Sequence, residues 1–270
     1  MNPASLAATA LARTLRVDGQ GAVAMDRAVP EETPVAFVYD ATTEAVMMAT
    51  PADLEDFAVG FSLTERIVGS AQDIAALEIA AQAAGVELRM WLTKDRAGAL
   101  ASRRRTRAGP TGCGLCGIES LAEALPTLAV VRSTLKVRTG AILEVMKDLA
   151  DRQTLNRQTR AMHGAAFFVP GRGIVIVRED VGRHNALDKL AGAMARGGER
   201  ASEGVVLITS RVSVELVQKA AVIGAPILAA VSAPTALALR VAEAAGVTIV
   251  GVVRADGLEV FTGAERILTG

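Results

Sequence analysis

In the second half of this chain, short apolar runs alternate with helix-like stretches, and few architectures accommodate that order. Residues 205–208, 227–231 and 247–253 read as strands, and 214–223 and 235–245 between them read as helices. Apolar strands separated by one helix each become parallel neighbours joined by right-handed crossovers. A three-layer α/β/α domain is the natural outcome. Ahead of it lie a helix at 140–155, strands at 165–169 and 174–178 around the turn Pro170-Gly171-Arg172-Gly173, and a helix at 185–195. In such sheets anionic ligands gather at the carboxyl ends of the strands.

The first half reads as a smaller α+β domain. Strands are expected at 34–39 and 44–49. A helix to about residue 68 would take Thr50 as N-cap, Pro51 first and Asp53 completing the box, with Gly69 ending it. Strands at 77–81 and 86–92 flank Gly85. Residues 1–30 read as a flexible lead-in with room for one short strand. The division is therefore 1–30, a small domain at 31–138 that includes a mobile loop at 95–117, and the α/β/α domain at 139–270.

Apolar residues make up 51% of the 270 and aromatics only 3%, so the core must be mainly aliphatic. The formal net charge is zero, which excludes the broad basic field of a general nucleic-acid binder. Only five of the 29 basic residues are Lys. Arg suits bidentate phosphate recognition, although an Ala/Arg/Gly-rich coding bias accounts for the excess as well. The most apolar stretch, 220–233, is cut by Gly224 and Pro226, and no run reaches the roughly 18 residues of a membrane span. The start lacks the pattern of a signal peptide. Two lone thiols fit a reducing cytoplasm.

Those thiols sit in Gly112-Cys113-Gly114-Leu115-Cys116-Gly117. Structural zinc would need four ligands, and the two histidines, His163 and His184, lack finger spacing. A thioredoxin-like pair would follow a strand and open a helix. A zinc deaminase needs its H-x-E before P-C-x-x-C, the reverse of the order here. A carrier of persulfide sulfur needs a thiolate and a positive field. The arginines of 103–107 supply that field, or form a solvated loop.

Polar residues concentrate at strand ends. Arg178, Asp180, Arg183, His184 and Asn185 stand where a strand turns into a helix. Ser210 and Arg211 occupy a second such turn, Ser232 a third, and Arg254, Ala255 and Asp256 the end of the last strand. Capping alone would explain the serines. Arg211 points to a phosphate or carboxylate. His163, just before a strand, reads more readily as a hydrogen-bonded structural residue than as a catalyst.

TGCGLCG at 111–117, MHGAA at 162–166, REDVGRHNALDKL at 178–190, SRVSVELVQKA at 210–220 and SAPTALAL at 232–239 together resemble the FdhD family of formate dehydrogenase accessory sulfurtransferases. The resemblance implies a cytidine-deaminase-like second domain without zinc chemistry or any directly bound metal, and a homodimer. It implies sulfur transfer from a cysteine desulfurase to the molybdenum cofactor, Mo-bis(molybdopterin guanine dinucleotide), for formate dehydrogenase. Cys113 would carry the persulfide with Cys116 as its partner. The family's cofactor-binding segment falls on Val252, Val253, Arg254, Ala255, Asp256 and Gly257, where a GDP-like moiety would sit. Arg178, Arg211 and Arg254 would contact its pyrophosphate. The rival reading is a non-enzymatic chaperone that only binds and delivers the cofactor.

Overall fold

The computed structural model describes residues 6–98 and 125–269. In the first half, β3 (Thr33–Tyr39), β4 (Thr42–Ala49), β5 (Ile74–Gln82) and β6 (Gly85–Leu92) form one sheet in the order β4-β3-β6-β5. The period of two shows in which side chains are buried: Val35, Phe37 and Tyr39 on β3, and Val86, Leu88 and Met90 on β6. Helix α1 (Leu54–Thr64) covers that face. Phe61 stacks on Phe37 at 3.9 Å and Phe57 meets the same ring edge-on at 4.9 Å. The Tyr39 hydroxyl lies 2.7 Å from Ser62 Oγ, and burial pushes its pKa above the ordinary phenol value.

Two local expectations are corrected here. The N-cap position of helix α1 falls on Asp53 in a left-handed conformation (φ 52°), without a side-chain capping bond, and not on Thr50; the helix ends at Thr64, not near residue 68. Thr50 serves a tertiary contact instead: its N–H donates to Asp180 at 3.0 Å and its carbonyl accepts from Lys189 at 2.8 Å. The flexible lead-in is corrected too. Strands β1 (Thr9–Asp18) and β2 (Gly21–Pro30) pair antiparallel along their full length as a two-stranded hairpin. Leu11 is 76% and Val23 67% exposed, so neither strand carries the one-sided burial that a sequence pattern announces.

The second sheet holds β8 (His163–Val169), β9 (Gly173–Asp180), β10 (Val205–Ile208), β11 (Ile227–Ala230), β12 (Thr248–Arg254) and β13 (Gly257–Val260), in the order β13-β12-β11-β10-β8-β9. β10, β11 and β12 are parallel, as the alternation predicts, while β8, β9 and β13 pair antiparallel. Helix α2 (Thr139–Arg152) buries Ile142, Val145 and Leu149 on one face, against Ala166, Leu207 and Ala229. On the other face α4 (Arg183–Gly197), α5 (Val214–Val222) and α6 (Ala236–Ala245) pack on Phe167, Val206 and Leu228. The three-layer arrangement is therefore present. The helix expected over 140–155 breaks at Gln153, after which α3 (Thr154–Thr159) begins a new turn whose N–H groups, on Leu155 and Asn156, donate to buried Glu179. The second domain also takes in residues before 139. Val131 belongs to its core, and β7 (Val137–Arg138) pairs with β14 (Ile267–Leu268).

The halves join where α1 lies against α4. An added Cβ on Gly60 would stand 1.6 Å from the carbonyl oxygen of Asp188, and one on Gly192 would stand 1.8 Å from that of Asp56. Glycine at both positions lets the two backbones touch. Beside this contact Asp188 accepts from Thr64 Oγ1 (2.6 Å) and Lys219 Nζ (2.8 Å), and Lys219 also reaches Glu65 (2.7 Å). Burial alone would lower the Lys219 pKa; Asp188 and Glu65 outweigh it and hold the ammonium above the ordinary lysine range.

Candidate functional site

Because β10, β11 and β12 run parallel, their carboxyl ends lie side by side. β8 runs against β10 and so starts at this same end, where β9 finishes. Helices α4, α5 and α6 begin directly after β9, β10 and β11, which turns three helix N-termini toward one edge of the sheet. Their unpaired N–H groups and positive ends favour an anion there. Backbone bonds stitch the turns together: Val212 N–H to Ala233 O at 3.3 Å, Thr235 N–H to Val212 O at 3.0 Å and Val252 N–H to Ser232 O at 3.3 Å.

This edge collects His163, Arg183, His184, Ser210, Arg211, Ser232 and Arg254, which the sequence spreads over 92 positions. His163 opens β8 and is part-buried; burial first, then Arg183, holds its ring below the usual histidine range, against the pull of Asp180. Arg183 opens α4, and its Nε is buried with no partner among the described residues. Arg211 is exposed, and its guanidinium makes no hydrogen bond or ion pair among the described residues. Ser210 is buried and its hydroxyl donates to the Arg211 carbonyl at 3.0 Å, fixing that turn. The Arg254 guanidinium reaches back to the carbonyls of Val231 and Val253. Ala255 and Asp256 are exposed in the turn that Gly257 closes into β13. Val253 is buried, whereas Val252 sits at φ 50° within a bulge between Gly251 and Arg254. A β-branched residue at positive φ is a strained conformation that costs about 1–3 kcal/mol. No residue pattern announces it, since turns of that kind normally show Gly or Asn.

Three of the expected ligand residues are committed elsewhere. Arg178 pairs with Asp56 (2.6 Å) and Asp53 (3.6 Å), so a pyrophosphate contact from this guanidinium is corrected to a clamp on α1. Asp180 is fully buried and accepts from Thr50, Gly182, Asn185 and Lys189. Asn185 donates also to the Met48 carbonyl at 2.8 Å. Asp180 and Asn185 tie the first domain to the root of the site rather than face a ligand. Cys113, Cys116 and the arginines of 103–107 lie outside the described residues.

Ser213, His184 and Glu215 make a tight group at the start of α5. His184 Nε2 lies 3.2 Å from both Ser213 Oγ and Glu215 Oε2, and Ser213 donates to Glu215 at 2.8 Å instead of capping the helix. A nucleophilic triad needs serine and carboxylate on opposite ring nitrogens. Here both address Nε2, so the group orients the His184 ring and does not activate Ser213.

A cavity of about 510 Å³ lies at the other end of the sheet, between Leu63, Gly69, Arg96, Met194, Ala195 and Ile223. The chain leaves the described region at Gly98, close to Arg96, and after its return it binds the Ala245 carbonyl at the end of α6 through Val131 N–H. Gly98 is thus near the end opposite the anion-favouring edge, and Val131, six residues beyond Leu125, is held at that same end. Among the described residues no three His, Cys, Asp or Glu side chains come together to hold a metal, and no helix is long and apolar enough to cross a membrane.

Comparison with known proteins places these features in one group. The sequence is 54% identical over 261 residues to the "Sulfur carrier protein FdhD" of Agrobacterium fabrum, covering 96% of this chain and 95% of that protein. It is 51% identical to the protein of the same name from Cupriavidus necator, covering 88% of this chain and 83% of that one. The crystal structure of a putative formate dehydrogenase accessory protein from Desulfotalea psychrophila superposes with a TM-score of 0.75 at 25% identity, covering 97% of this chain and all of that one. A family model matches residues 30–268, nearly the whole of both sheets with the strand-end turns between them, and on that match the chain belongs to the FdhD/NarQ family.

Proposed function

We propose that this chain carries sulfur, as a persulfide on Cys113, from a cysteine desulfurase to the molybdenum cofactor that formate dehydrogenase requires. The observation that carries the reading is the 54% identity, over nearly the whole chain, to a protein named as a sulfur carrier. In the first step the Cys113 thiolate attacks the outer sulfur of the donor's persulfide. The S–S bond to the donor breaks, the donor leaves as thiolate, and Cys113 holds the new persulfide. In the second step the Cys116 thiolate attacks the inner sulfur on Cys113, the terminal sulfur leaves as hydrosulfide for the molybdenum centre, and the Cys113–Cys116 disulfide that remains is reduced by an external dithiol. The acceptor is Mo-bis(molybdopterin guanine dinucleotide), and its GDP-like moiety binds at the sheet edge beside Arg183, Arg211 and Arg254. The chain works as a homodimer in the cytoplasm.

Distance does not forbid this division of labour. Cys113 is 15 residues from Gly98 and 12 from Leu125. Extended chain spans up to about 3.5 Å per residue, so these tethers reach roughly 50 and 40 Å. The eight-residue strand β9 is only about 27 Å long at the usual rise per residue. A cysteine rooted at one end of the sheet can therefore reach the other.

Intact mass measurement after incubation with a cysteine desulfurase and cysteine tests the carrier reading. A gain of one sulfur atom, reversed by reductant, supports it; an unchanged mass sinks it. The edge is tested separately. Arg211→Ala is expected to weaken GDP binding by about 10- to 100-fold, the loss of one charged hydrogen-bonding group, with no change in melting temperature because this arginine supports nothing in the fold.

A further inference from the structure

The chain has two histidines, and the fold brings both to the same edge with Arg183 beside each of them. His163 opens β8 and stands opposite Asp180 in the β8–β9 pairing. His184 follows Arg183 in the first turn of α4, with Ser213 and Glu215 on its Nε2. The charged groups that face His163 are Arg183 from α4 and Asp180 from β9. Those that face His184 are Arg183 on its own helix, and Glu215 and Lys219 from α5. Asp180 is already saturated with donors, and Arg183 Nε is buried with no partner among the described residues.

We propose that this edge takes up protons when it takes a nucleoside diphosphate: the anion seated against Arg183 lets His163 and His184 become imidazolium, so binding tightens as pH falls. The inference rests on the reading of the edge as the nucleotide site. In the free protein burial, then Arg183, holds both rings below the ordinary histidine range. The positive ends of the helices act in the same sense. A diphosphate brings opposite charge next to each ring and favours the protonated form. The sign follows from linkage. The bound state holds more protons than the free state between the depressed free value and the raised bound value. Affinity therefore rises as pH falls through the bound value, and levels off below the free one. Each proton taken up makes binding about tenfold tighter per pH unit inside that window, since one pKa unit corresponds to a factor of ten.

Titration calorimetry of GDP into the full-length protein tests this near pH 6.5 in two buffers of different ionisation enthalpy. The terminal phosphate of GDP, with a second pKa near 6, releases protons when it binds as the dianion. That background has the opposite sign, and the double variant His163→Gln/His184→Gln measures it. The expected result is about one more proton taken up per nucleotide by the natural protein than by the double variant, and tighter binding at pH 6.5 than at pH 8. Equal proton balance in the two proteins, with GDP bound to both, overturns the coupling and leaves the nucleotide site standing. A natural protein that takes no net proton beyond ligand background overturns it even where the variant does not fold. Absence of GDP binding at every pH removes the nucleotide site and the coupling with it.

Discussion

Cys113→Ala is expected to abolish both the sulfur mass gain and the activation of formate dehydrogenase. The step requires a sulfur lone pair at that position, and alanine offers none, so no residual rate survives through this route. Folding is expected to be retained, because the substitution removes a single sulfur atom and leaves the three core clusters of the described residues as they are. GDP affinity should also be unchanged, since the arginines and histidines of the edge belong to the second domain. The informative result is this separation: intact melting temperature, intact nucleotide binding, no persulfide. If the variant still activated formate dehydrogenase fully, the carrier role of Cys113 would be lost and cofactor delivery without sulfur chemistry would take its place.

The largest effect on stability is expected from Gly192→Ala. Its methyl group would lie 1.8 Å from the Asp56 carbonyl oxygen, a backbone atom that no rotamer change can move. Helix α1 must then draw away from α4 by more than an ångström. That movement stretches the Asp56 pairs to Arg178 and Arg196 and the Thr64–Asp188–Lys219 group at once. Leaving buried charges poorly partnered costs about 3–5 kcal/mol, beyond the about 1–3 kcal/mol of overpacking itself. A loss of about 3 kcal/mol already lowers the melting temperature by about 6–12 °C in a protein of this size. Gly140→Ala is the control. It lies in helix α2 with open space around it, where alanine should be neutral or stabilising by about 0.5–1 kcal/mol.

What could be read from the sequence was whatever the burial of one face writes into it. The strands at 205–208 and 227–230 are fully buried on both sides, and their apolar runs, read as 205–208 and 227–231, mark them almost to the residue. The hairpin of β1 and β2 escapes because it buries neither face. The break at Gln153 escapes because the new turn after it is held by Glu179, a residue on strand β9. The clustering of polar residues at strand ends was legible, and the fold brings most of them together. Their individual tasks were not. Arg178, Asp180 and Asn185 look like ligand residues by type and position. Their partners Asp56, Thr50 and Met48 are more than 120 positions away, so only the tertiary contact shows that they are already engaged.

The crossing of α1 on α4 bears finally on a chain that has been cut. Residues 6–98 and 125–269 share a glycine-to-backbone seam, a buried lysine–carboxylate cluster and the Asp56 clamp, none of which depends on the peptide link between them. A protease nick within 99–124 should therefore yield two fragments that co-elute as one particle and part only in denaturant. Expressed as separate polypeptides, the same halves are expected to find each other, and the segment with Cys113 and Cys116 can then be supplied on either one.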